Sequence, residues 1–257
     1  MLSTYTDFKR DFYTLSGLNL NLYTEAQMKR RIDTFMLKSG YRDYGEFIKR
    51  MKQDNTLFHS FLSYLTINVS SFFRNPDQWN IFSEKIVPEL KKSRDKIRIW
   101  SAACATGEEP YTINMIMSNA MLQNRFEILA TDIDSDALQK AKEGVYKEKD
   151  IVAIPYEYRE KYVASVGDKY IISNKLKGNV RFSQHNLLKD NYPLRYDFIC
   201  CRNVIIYFTN EARDMVHQRL IQSLKKGGIL FVGNTEQVKK ENLSELEMID
   251  TFFYRKV

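Results

Sequence analysis

The chain has 257 residues, of which 44% are hydrophobic and 13% are aromatic. This content excludes a disordered protein, and the length is sufficient for one large core or two unequal domains. The 39 basic and 32 acidic side chains leave a formal net charge of +7, which matters for binding only where it is concentrated on one surface. Because no apolar run is long enough to span a bilayer and residues 1–7 lack a secretory signal pattern, we expect a cytoplasmic protein without membrane insertion.

The chain contains three cysteines, Cys104, Cys200 and Cys201. The adjacent pair cannot form an ordinary disulfide, and the C-x-x-C spacing of a zinc site is missing. The three histidines are widely separated in the sequence. We therefore expect buried thiols in a reducing compartment and no metal ion.

Residues 1–75 are predicted to form an all-helical domain. Apolar residues recur at helical spacing in residues 25–37, 44–51 and 57–65, which predicts short amphipathic helices. Glycines punctuate these segments, as is typical of helix ends.

Basic side chains are concentrated in this first third of the chain. Such a cluster attracts an acidic protein or a nucleic-acid backbone, although a solvated helix surface explains it equally well. The candidate substrate-recognition residues are Lys29, Arg30, Arg31 and Lys38.

The segment that follows combines hydroxyl, amide and guanidinium groups with two phenylalanines. Arg74 is suited to bind a carboxylate in a bidentate manner, and Asn68 and Ser70 are suited to donate hydrogen bonds. A capped linker anchored by its aromatic rings is the alternative interpretation. Pro76 then predicts the first turn of a connecting helix, and we assign residues 76–95 to a linker.

From residue 96 onward, apolar strands alternate with helices. This alternation is typical of a mostly parallel sheet covered by helices. We therefore predict a Rossmann-like α/β domain over residues 96–257. Its strands are predicted at residues 97–101, 126–131, 180–184, 196–201 and 228–232.

The stretch between the second and third of these strands is too long for an ordinary connection. It is rich in Lys, Tyr and Glu, and residues 170–172 and 180–182 are predicted to pair as a hairpin. We predict a small antiparallel β insertion at about residues 146–180, which is a candidate surface for docking a partner.

The first predicted strand ends in the small-residue run from Ser101 to Gly107 and is followed by Glu108 and Glu109 at the start of a helix. Small residues let a ligand approach the backbone, and the end of a strand is where open α/β sheets bind nucleotide-like ligands. Two acids repel a phosphate but suit a ligand with an amine, as in S-adenosylmethionine. Close strand–helix packing and the helix dipole are the alternative explanation.

The ends of the later strands supply further candidates. Asp132 is placed to accept hydrogen bonds from ribose hydroxyls, while Asp134 or Ser135 is expected to cap the next helix. Asn186 lies where an adenine edge would be read. A G-x-G-x-x-G motif is missing, which counts against a nicotinamide enzyme.

Polar residues also follow the fourth strand. If the ligand is S-adenosylmethionine, its methyl group would be transferred near these residues, which are Arg202, Asn203 and Tyr207. The Asn-Pro-Pro-Tyr arrangement typical of methylation of base amino groups is missing, which argues against a nucleic-acid substrate.

Three of these segments together resemble the chemotaxis receptor protein-glutamate O-methyltransferases. They are Asn-Val-Ser-Ser-Phe-Phe-Arg at residues 68–74, the run from Trp100 to Tyr111, and Cys-Arg-Asn-Val-Ile-Ile-Tyr-Phe at residues 201–208. The resemblance covers essentially the whole chain with the motifs in the same order. It implies a helical receptor-recognition domain, a Rossmann-like catalytic domain and a small β-subdomain, in agreement with the organisation predicted above.

The resemblance also implies an activity. A methyl group passes from S-adenosylmethionine to glutamate carboxylates on the cytoplasmic helical domain of chemoreceptors, giving methyl esters and S-adenosylhomocysteine during adaptation. A monomer is expected. Tyr207 is implied near the reacting carboxylate, and we add Arg202 as a catalytic candidate. The implied cofactor contacts are Asn68, Ser70, Arg74, Glu108, Asp132, Asn186, Leu187, Asn203 and Val204.

Two other functions use the same predicted pocket. The chain could methylate RNA or a small molecule with S-adenosylmethionine, or it could bind this cofactor and dock partners without catalysis. Base-labile methyl groups on an acidic helical acceptor distinguish esterification from both.

Overall fold

The computed structural model describes residues 3–238 and 244–257. Residues 1 and 2 of the predicted helical domain, and residues 239–243 of the predicted α/β domain, lie outside the described part. The chain divides into two compact units. We call them the helical unit, Met1–Asn68 with Val204–Met215, and the sheet unit, Val69–Asn203 with Val216–Val257.

The helical unit contains the helices predicted from apolar spacing and one amino-terminal helix that was not predicted. Three of its helices begin at a side chain that caps a free amide group. Asp43 accepts a hydrogen bond from the amide of Glu46 at 2.9 Å, and Asp54 accepts one from Leu57 at 3.0 Å. The helices are α1 (Tyr5–Ser16), α2 (Glu25–Lys38), α3 (Tyr44–Gln53) and α4 (Asn55–Leu65), with a 3₁₀ turn at Leu20–Leu22.

Phenylalanine rings form the centre of the helical unit. Phe47 and Phe61 meet edge to face with 5.0 Å between ring centroids, and Phe8 lies 6.3 Å from Phe47. All three side chains are fully buried. Aromatic pairs at this spacing contribute beyond the apolar area that they bury.

The segment Val204–Met215 belongs to the helical unit although it lies far along the chain. The amide of Thr24 donates to the carbonyl oxygen of Tyr207 at 2.9 Å. Tyr23 and Phe208 form an antiparallel bridge, and their ring centroids are 5.2 Å apart. The last part of the third motif therefore folds onto the amino-terminal helices.

Among its described residues, the sheet unit has a seven-stranded and a three-stranded sheet. The strands, in chain order, are β1 (Ile97–Ala102), β2 (Phe126–Asp132), β3 (Val145–Lys147), β4 (Val163–Val166), β5 (Lys169–Ile172), β6 (Val180–Gln184), β7 (Tyr196–Cys201), β8 (Leu224–Val232), β9 (Leu246–Asp250) and β10 (Phe253–Lys256). The larger sheet has the order β6-β2-β1-β7-β8-β10-β9, and the smaller one has the order β3-β5-β4.

The first five strands of the larger sheet are parallel, and β10 runs antiparallel to both β8 and β9. The predicted Rossmann-like fold and its five parallel strands are confirmed. The carboxyl-terminal pair β9 and β10 was not predicted. Strands β1 and β7 are buried along almost their whole length, as expected for a parallel sheet covered on both faces.

The small antiparallel insertion is confirmed, but the predicted hairpin is wrong. Strand β5 pairs with β4 and β3, whereas β6 pairs in parallel with β2. A helical turn at Asn174–Lys177 separates β5 from β6 and ends the insertion. Val180, at the start of β6, is buried in the main core.

The remaining helices follow residue 75 in the chain. The predicted helix at Pro76 is interrupted by a π-helical turn at Phe82–Ile86, because Pro88 has no amide hydrogen for the regular ladder. No helix among the described residues is both long and apolar enough to cross a membrane. The helices are α5 (Pro76–Ile81), α6 (Val87–Leu90), α7 (Glu108–Ala120), α8 (Ser135–Glu143), α9 (Glu148–Ile151), α10 (Tyr156–Tyr162), α11 (Asn174–Lys177) and α12 (Asn210–Ser223), with 3₁₀ turns at Gln123–Arg125 and Ile205–Tyr207.

Replacing Phe47 with alanine is expected to lower the free energy of unfolding of the helical unit by about 3–5 kcal/mol, because the ring leaves a cavity among its aromatic neighbours. Leu37→Ala is the control, since this side chain is 63% exposed, and it should cost no more than about 0.5 kcal/mol. Urea denaturation followed by circular dichroism measures both. Equal losses in the two variants would contradict this account of the core.

Candidate active site

The carboxyl ends of the parallel strands lie at one edge of the sheet and carry the predicted cofactor residues. Glu108 follows the loop after β1, and Asp132 is the last residue of β2. Asn186 follows β6, and Asn203 follows β7. The structure thus brings four separate sequence segments to the same edge, which is where α/β sheets bind their ligands.

The loop of residues 103–107, which joins β1 to α7, has an unusual backbone. Ala103, Ala105 and Gly107 have φ angles of 60°, 46° and 96°. Residues with a Cβ atom rarely adopt this region, so the two alanines keep this conformation only where their surroundings hold it. A Cβ atom at Gly107 would lie 2.8 Å from the Cβ of Ala141, so the loop also requires glycine for close packing on α8.

Backbone hydrogen bonds hold this loop against the end of β2. The amide of Cys104 donates to the carbonyl oxygen of Thr131 at 2.9 Å, and the amide of Ala105 donates to Oδ2 of Asp132 at 2.8 Å. The amide of Gly107 closes the turn on the carbonyl oxygen of Cys104 at 3.0 Å. The loop conformation is therefore tied directly to the carboxylate that was predicted to bind ribose.

Asp132 is 6% exposed and has acceptor positions to spare. Its Oδ1 accepts the amide of Asp134 at 2.9 Å, and its Oδ2 accepts the amide of Ala105. Burial raises the pKa of Asp132, while hydrogen bonds from the amides of Asp134, Ala105 and Ile133 oppose the rise. An ionised carboxylate accepts about four hydrogen bonds, so acceptor capacity remains for a ligand hydroxyl.

Asp134 is the N-cap of α8. Its side chain accepts hydrogen bonds from the amides of Asp136 and Ala137. The expectation that a residue after Asp132 caps this helix is confirmed.

Glu108 is the second buried carboxylate at this edge, with 6% of its surface exposed. The hydroxyl of Thr106 lies 2.8 Å from both of its oxygens. Burial raises the pKa of Glu108, while hydrogen bonds that include those from Thr106 and Ser70 oppose the rise. Within residues 3–238 and 244–257, no cationic side chain pairs with Glu108 or with Asp132.

Glu109, in contrast, is engaged inside the protein. Its Oε1 accepts a hydrogen bond from the hydroxyl of Ser101 at 2.8 Å, and its Oε2 lies 3.6 Å from Nη1 of Arg202. Nη2 of Arg202 donates to Oε1 of Gln78 at 2.6 Å and to the carbonyl oxygen of Arg74 at 3.0 Å. This buried guanidinium joins the end of β7 to the 74–78 segment. Its predicted catalytic role stays a prediction.

Asn203 follows directly after Arg202 with a φ angle of 60°. Its amide donates to Oε2 of Glu236, which also accepts the amide of Gly233 at 3.1 Å. Glu236 is 4% exposed. This carboxylate fixes the turn that presents Asn203 after β7.

Asn186 and Leu187 form the turn that follows β6. Oδ1 of Asn186 accepts the amide of Leu188 at 2.9 Å, and the amide of Asn186 donates to Asp190 at 2.8 Å. Leu187 is buried, and its carbonyl oxygen accepts the hydroxyl of Tyr192 at 2.8 Å. These hydrogen bonds hold the turn in place. The predicted contact with adenine stays a prediction.

Ser70 and Arg74 lie in the segment that begins the sheet unit. Nη1 of Arg74 donates to the carbonyl oxygen of Val69 at 3.1 Å. The amide of Phe73 donates to the hydroxyl of Thr112 on α7 at 3.1 Å. The segment is thus fastened to the helix that begins with Glu108.

Three predicted site residues belong to the helical unit. They are the predicted cofactor contacts Asn68 and Val204 and the candidate catalytic residue Tyr207. Nδ2 of Asn68 lies 3.4 Å from the hydroxyl of Ser63. The backbone of Tyr207 is held by Thr24, as described above. Their predicted roles stay predictions.

The four predicted recognition residues on α2 are not equivalent. Lys29 pairs with Asp33 at 2.7 Å, and the guanidinium of Arg31 lies 4.5 Å from the ring centroid of Tyr64 and donates to its carbonyl oxygen. Arg30 and Lys38 are exposed to solvent. These two side chains are the better placed for contact with a partner.

The chemistry of the edge fits S-adenosylmethionine. Two buried carboxylates, Glu108 and Asp132, have hydroxyl and amide partners but no cationic partner in the described part of the chain. A ligand with an ammonium group, a sulfonium centre and ribose hydroxyls supplies the positive charge and the donors that these oxygens accept. A phosphate-bearing dinucleotide would instead be repelled.

A Rossmann-like sheet with one buried acid after the loop that follows β1 and another at the end of β2 suits an S-adenosylmethionine-dependent methyltransferase. The family model described as CheR methyltransferase, SAM binding domain, matches residues 68–253, and the model described as CheR methyltransferase, all-alpha domain, matches residues 3–66. The chain belongs to the CheR methyltransferase family. The family membership predicted from the three motifs is confirmed.

Several relatives match over almost their full length. A chemotaxis protein methyltransferase of Listeria monocytogenes is 42% identical over 249 residues, which cover 96% of this chain and 94% of the relative. Proteins of the same name from Borreliella burgdorferi and Salmonella typhimurium are 31% and 30% identical, covering 93% and 87% of this chain and 90% and 80% of theirs.

Sequence reasoning missed two residues that shape the site. Glu236 lies in a polar stretch after the last predicted strand, with no pattern that connects it to Asn203. Tyr146 looks like one of many tyrosines, yet its hydroxyl donates to the carbonyl oxygen of Thr106 at 2.8 Å. Only the folded chain reveals these long-range contacts.

The variant Glu108→Gln is expected to melt at a higher temperature than the wild type at pH 8 without cofactor. Because the pKa of Glu108 is raised on folding, its ionised form destabilises the fold at high pH, and protonation removes this effect as the pH falls. The difference should therefore shrink toward pH 4. Thermal denaturation across this range measures it, and a wild type that is the more stable at pH 8 would refute the assignment.

Proposed function

We propose that this chain transfers a methyl group from S-adenosylmethionine to glutamate side-chain carboxylates of chemoreceptors, giving methyl esters in chemotactic adaptation. The pair of buried carboxylates at the ends of β1 and β2, which have no cationic partner among the described residues, carries the cofactor part of the proposal. The names of the relatives, chemotaxis protein methyltransferases, support the chemotactic part.

In this proposal, Asp132 binds the ribose hydroxyls with its remaining acceptor capacity. Glu108 supplies negative charge in a buried setting, and the loop of residues 103–107 lies against the ligand with its backbone. Arg74 faces the carboxylate of the cofactor. Motif similarity alone supports the other cofactor contacts, Asn68, Ser70, Asn186, Leu187, Asn203 and Val204.

The chain needs no general base for this reaction. A glutamate with a pKa of about 4.3 is already ionised at neutral pH, so its oxygen requires orientation rather than deprotonation. S-adenosylmethionine, when bound, would supply an electrophilic methyl group. An oxygen–carbon bond to the glutamate would form as the sulfur–carbon bond breaks. The negative charge of the carboxylate and the positive charge of the sulfonium would both disappear.

Charge loss along the reaction determines what the residues near the acceptor do. A strong ion pair to the carboxylate, made only before transfer, would slow the reaction. Neutral groups such as the amide of Asn203 and the phenol of Tyr207 therefore orient the acceptor. Arg202 acts by holding the 74–78 segment in place, which is supported by its burial and its internal partners.

We further propose a division of labour along the chain. Residues 1–75 recognise the receptor through exposed basic side chains of α2, and residues 76–95 form a linker. Residues 96–257 bind the cofactor together with the 68–74 motif. The two family models meet near residue 67, which supports separate roles for the helical segment before it and the chain after it. The receptor's cytoplasmic helical segments are the acceptor, so the protein acts in the cytoplasm, as a monomer.

Alanine at Asp132 or at Glu108 is expected to weaken the binding of S-adenosylhomocysteine at least about tenfold, because each change removes charge-assisted hydrogen bonds. Glu143→Ala, which removes an exposed acid at the end of α8, should bind as the wild type does. Isothermal titration calorimetry measures the three affinities. Unchanged affinity in both site variants would refute the proposed pocket.

With methyl-labelled S-adenosylmethionine and membranes that carry chemoreceptors, the wild type should label the receptor, and alkali should release the label as methanol. Asp132→Ala should give little label. Base-stable label on RNA, with activity falling steeply as salt rises, would instead indicate an RNA methyltransferase. Tight cofactor binding without label on any acceptor would indicate a docking protein.

A further inference from the structure

We propose that Tyr146, on the first strand of the inserted sheet, is a positioning residue for the cofactor loop at residues 103–107. Through this residue, the inserted sheet becomes part of the cofactor site. The inference rests on the proposed function, since it concerns how the same site is held in its binding conformation.

The hydroxyl of Tyr146 contacts the loop at its last turn. It donates to the carbonyl oxygen of Thr106 at 2.8 Å, and the tyrosine is only 6% exposed. The side chain of Thr106 in turn donates to the carboxylate of Glu108. Thr106 thus accepts a hydrogen bond from Tyr146 with its backbone and donates one to Glu108 with its side chain.

The neighbouring residue shows how closely the tyrosine approaches the loop. Gly107 has a φ angle of 96°, and a Cβ atom there would lie 3.2 Å from the hydroxyl oxygen of Tyr146. Gly107 immediately precedes α7, which begins with Glu108. The phenol therefore lies against the point at which the loop turns into the helix that carries the acid.

The ring of Tyr146 contacts a second cofactor motif. Phe72 meets it edge to face with 4.9 Å between ring centroids. Phe72 lies between Ser70 and Arg74, two predicted cofactor contacts, and is fully buried. The tyrosine thus joins the 68–74 motif and the 100–111 motif from outside both of them.

The chemistry of the phenol suits a permanent donor. Burial raises the pKa of Tyr146 well above its usual value, so its proton stays in place at every pH at which the enzyme works. The carbonyl oxygen of Thr106 belongs to a loop with three residues at positive φ. Such a backbone keeps its conformation only where its surroundings hold it, and Tyr146 supplies one of these constraints.

The matched control is another buried tyrosine of the insertion. Tyr162, on α10, is 2% exposed, and its hydroxyl lies 3.3 Å from the side-chain oxygen of Asn119 at the far end of α7. Replacing either tyrosine with phenylalanine removes one buried hydroxyl and keeps the ring. Only Tyr146→Phe removes a contact with the cofactor loop.

Calorimetry with S-adenosylhomocysteine on the full chain tests the proposal. Tyr146→Phe should raise the dissociation constant about three- to tenfold, the effect of losing one neutral hydrogen bond, and Tyr162→Phe should change it less than twofold. Equal affinities in the two variants would overturn the role of Tyr146. A wild type that binds no S-adenosylhomocysteine would instead overturn the proposed function itself.

Steady-state kinetics separate positioning from a loss of overall stability. In Tyr146→Phe, the KM for S-adenosylmethionine should rise while kcat stays within about twofold of the wild type. A reduced kcat with unchanged KM would contradict a role in cofactor binding.

Hydrogen exchange of the wild type gives a test that needs no variant. S-adenosylhomocysteine should slow amide exchange in β3 and β5 as well as in residues 103–107, because the loop and Tyr146 are then held together. Slowing confined to the loop, with the inserted strands unchanged, would overturn the proposal.

Discussion

The hydrogen bond from the amide of Ala105 to the carboxylate of Asp132 is the contact on which the rest of the site depends. The loop after β1 has three residues at positive φ, and each alanine among them costs roughly 1–2 kcal/mol in that conformation. Asp132 holds this loop from the end of the neighbouring strand. Asp132 therefore holds the loop in its conformation and also supplies the negative charge that is proposed to bind the ligand.

Charge explains why this edge of the sheet suits its ligand. Glu108 and Asp132 are both buried without a cation among the described residues, and burial raises the pKa of each. The ligand-free protein therefore has less stability at neutral pH than an uncharged edge would give. In the proposed site, a cationic ligand would relieve this cost on binding. Affinity for the methyl donor and instability of the free site would then be two consequences of the same burial.

The sequence was informative where the signal is local. Five apolar strands follow from short patterns, and Asp132 was correctly predicted to lie at the end of a strand. Strand pairing was harder to predict from the sequence. The 170–172 segment pairs with β4 rather than with β6, because a helical turn at Asn174–Lys177 lies between β5 and β6. Likewise, Glu108 and Glu109 are adjacent acids in the sequence, and only the folded chain shows that Glu109 is engaged by Ser101 and Arg202.

The most direct test of the central claim is a crystal structure of the chain with S-adenosylhomocysteine. The ligand should lie at the carboxyl ends of the parallel strands, with its ribose hydroxyls on Asp132 and its body against residues 103–107. A ligand bound at any other surface, with the carboxylates of Asp132 and Glu108 in contact with solvent or protein alone, would contradict the account.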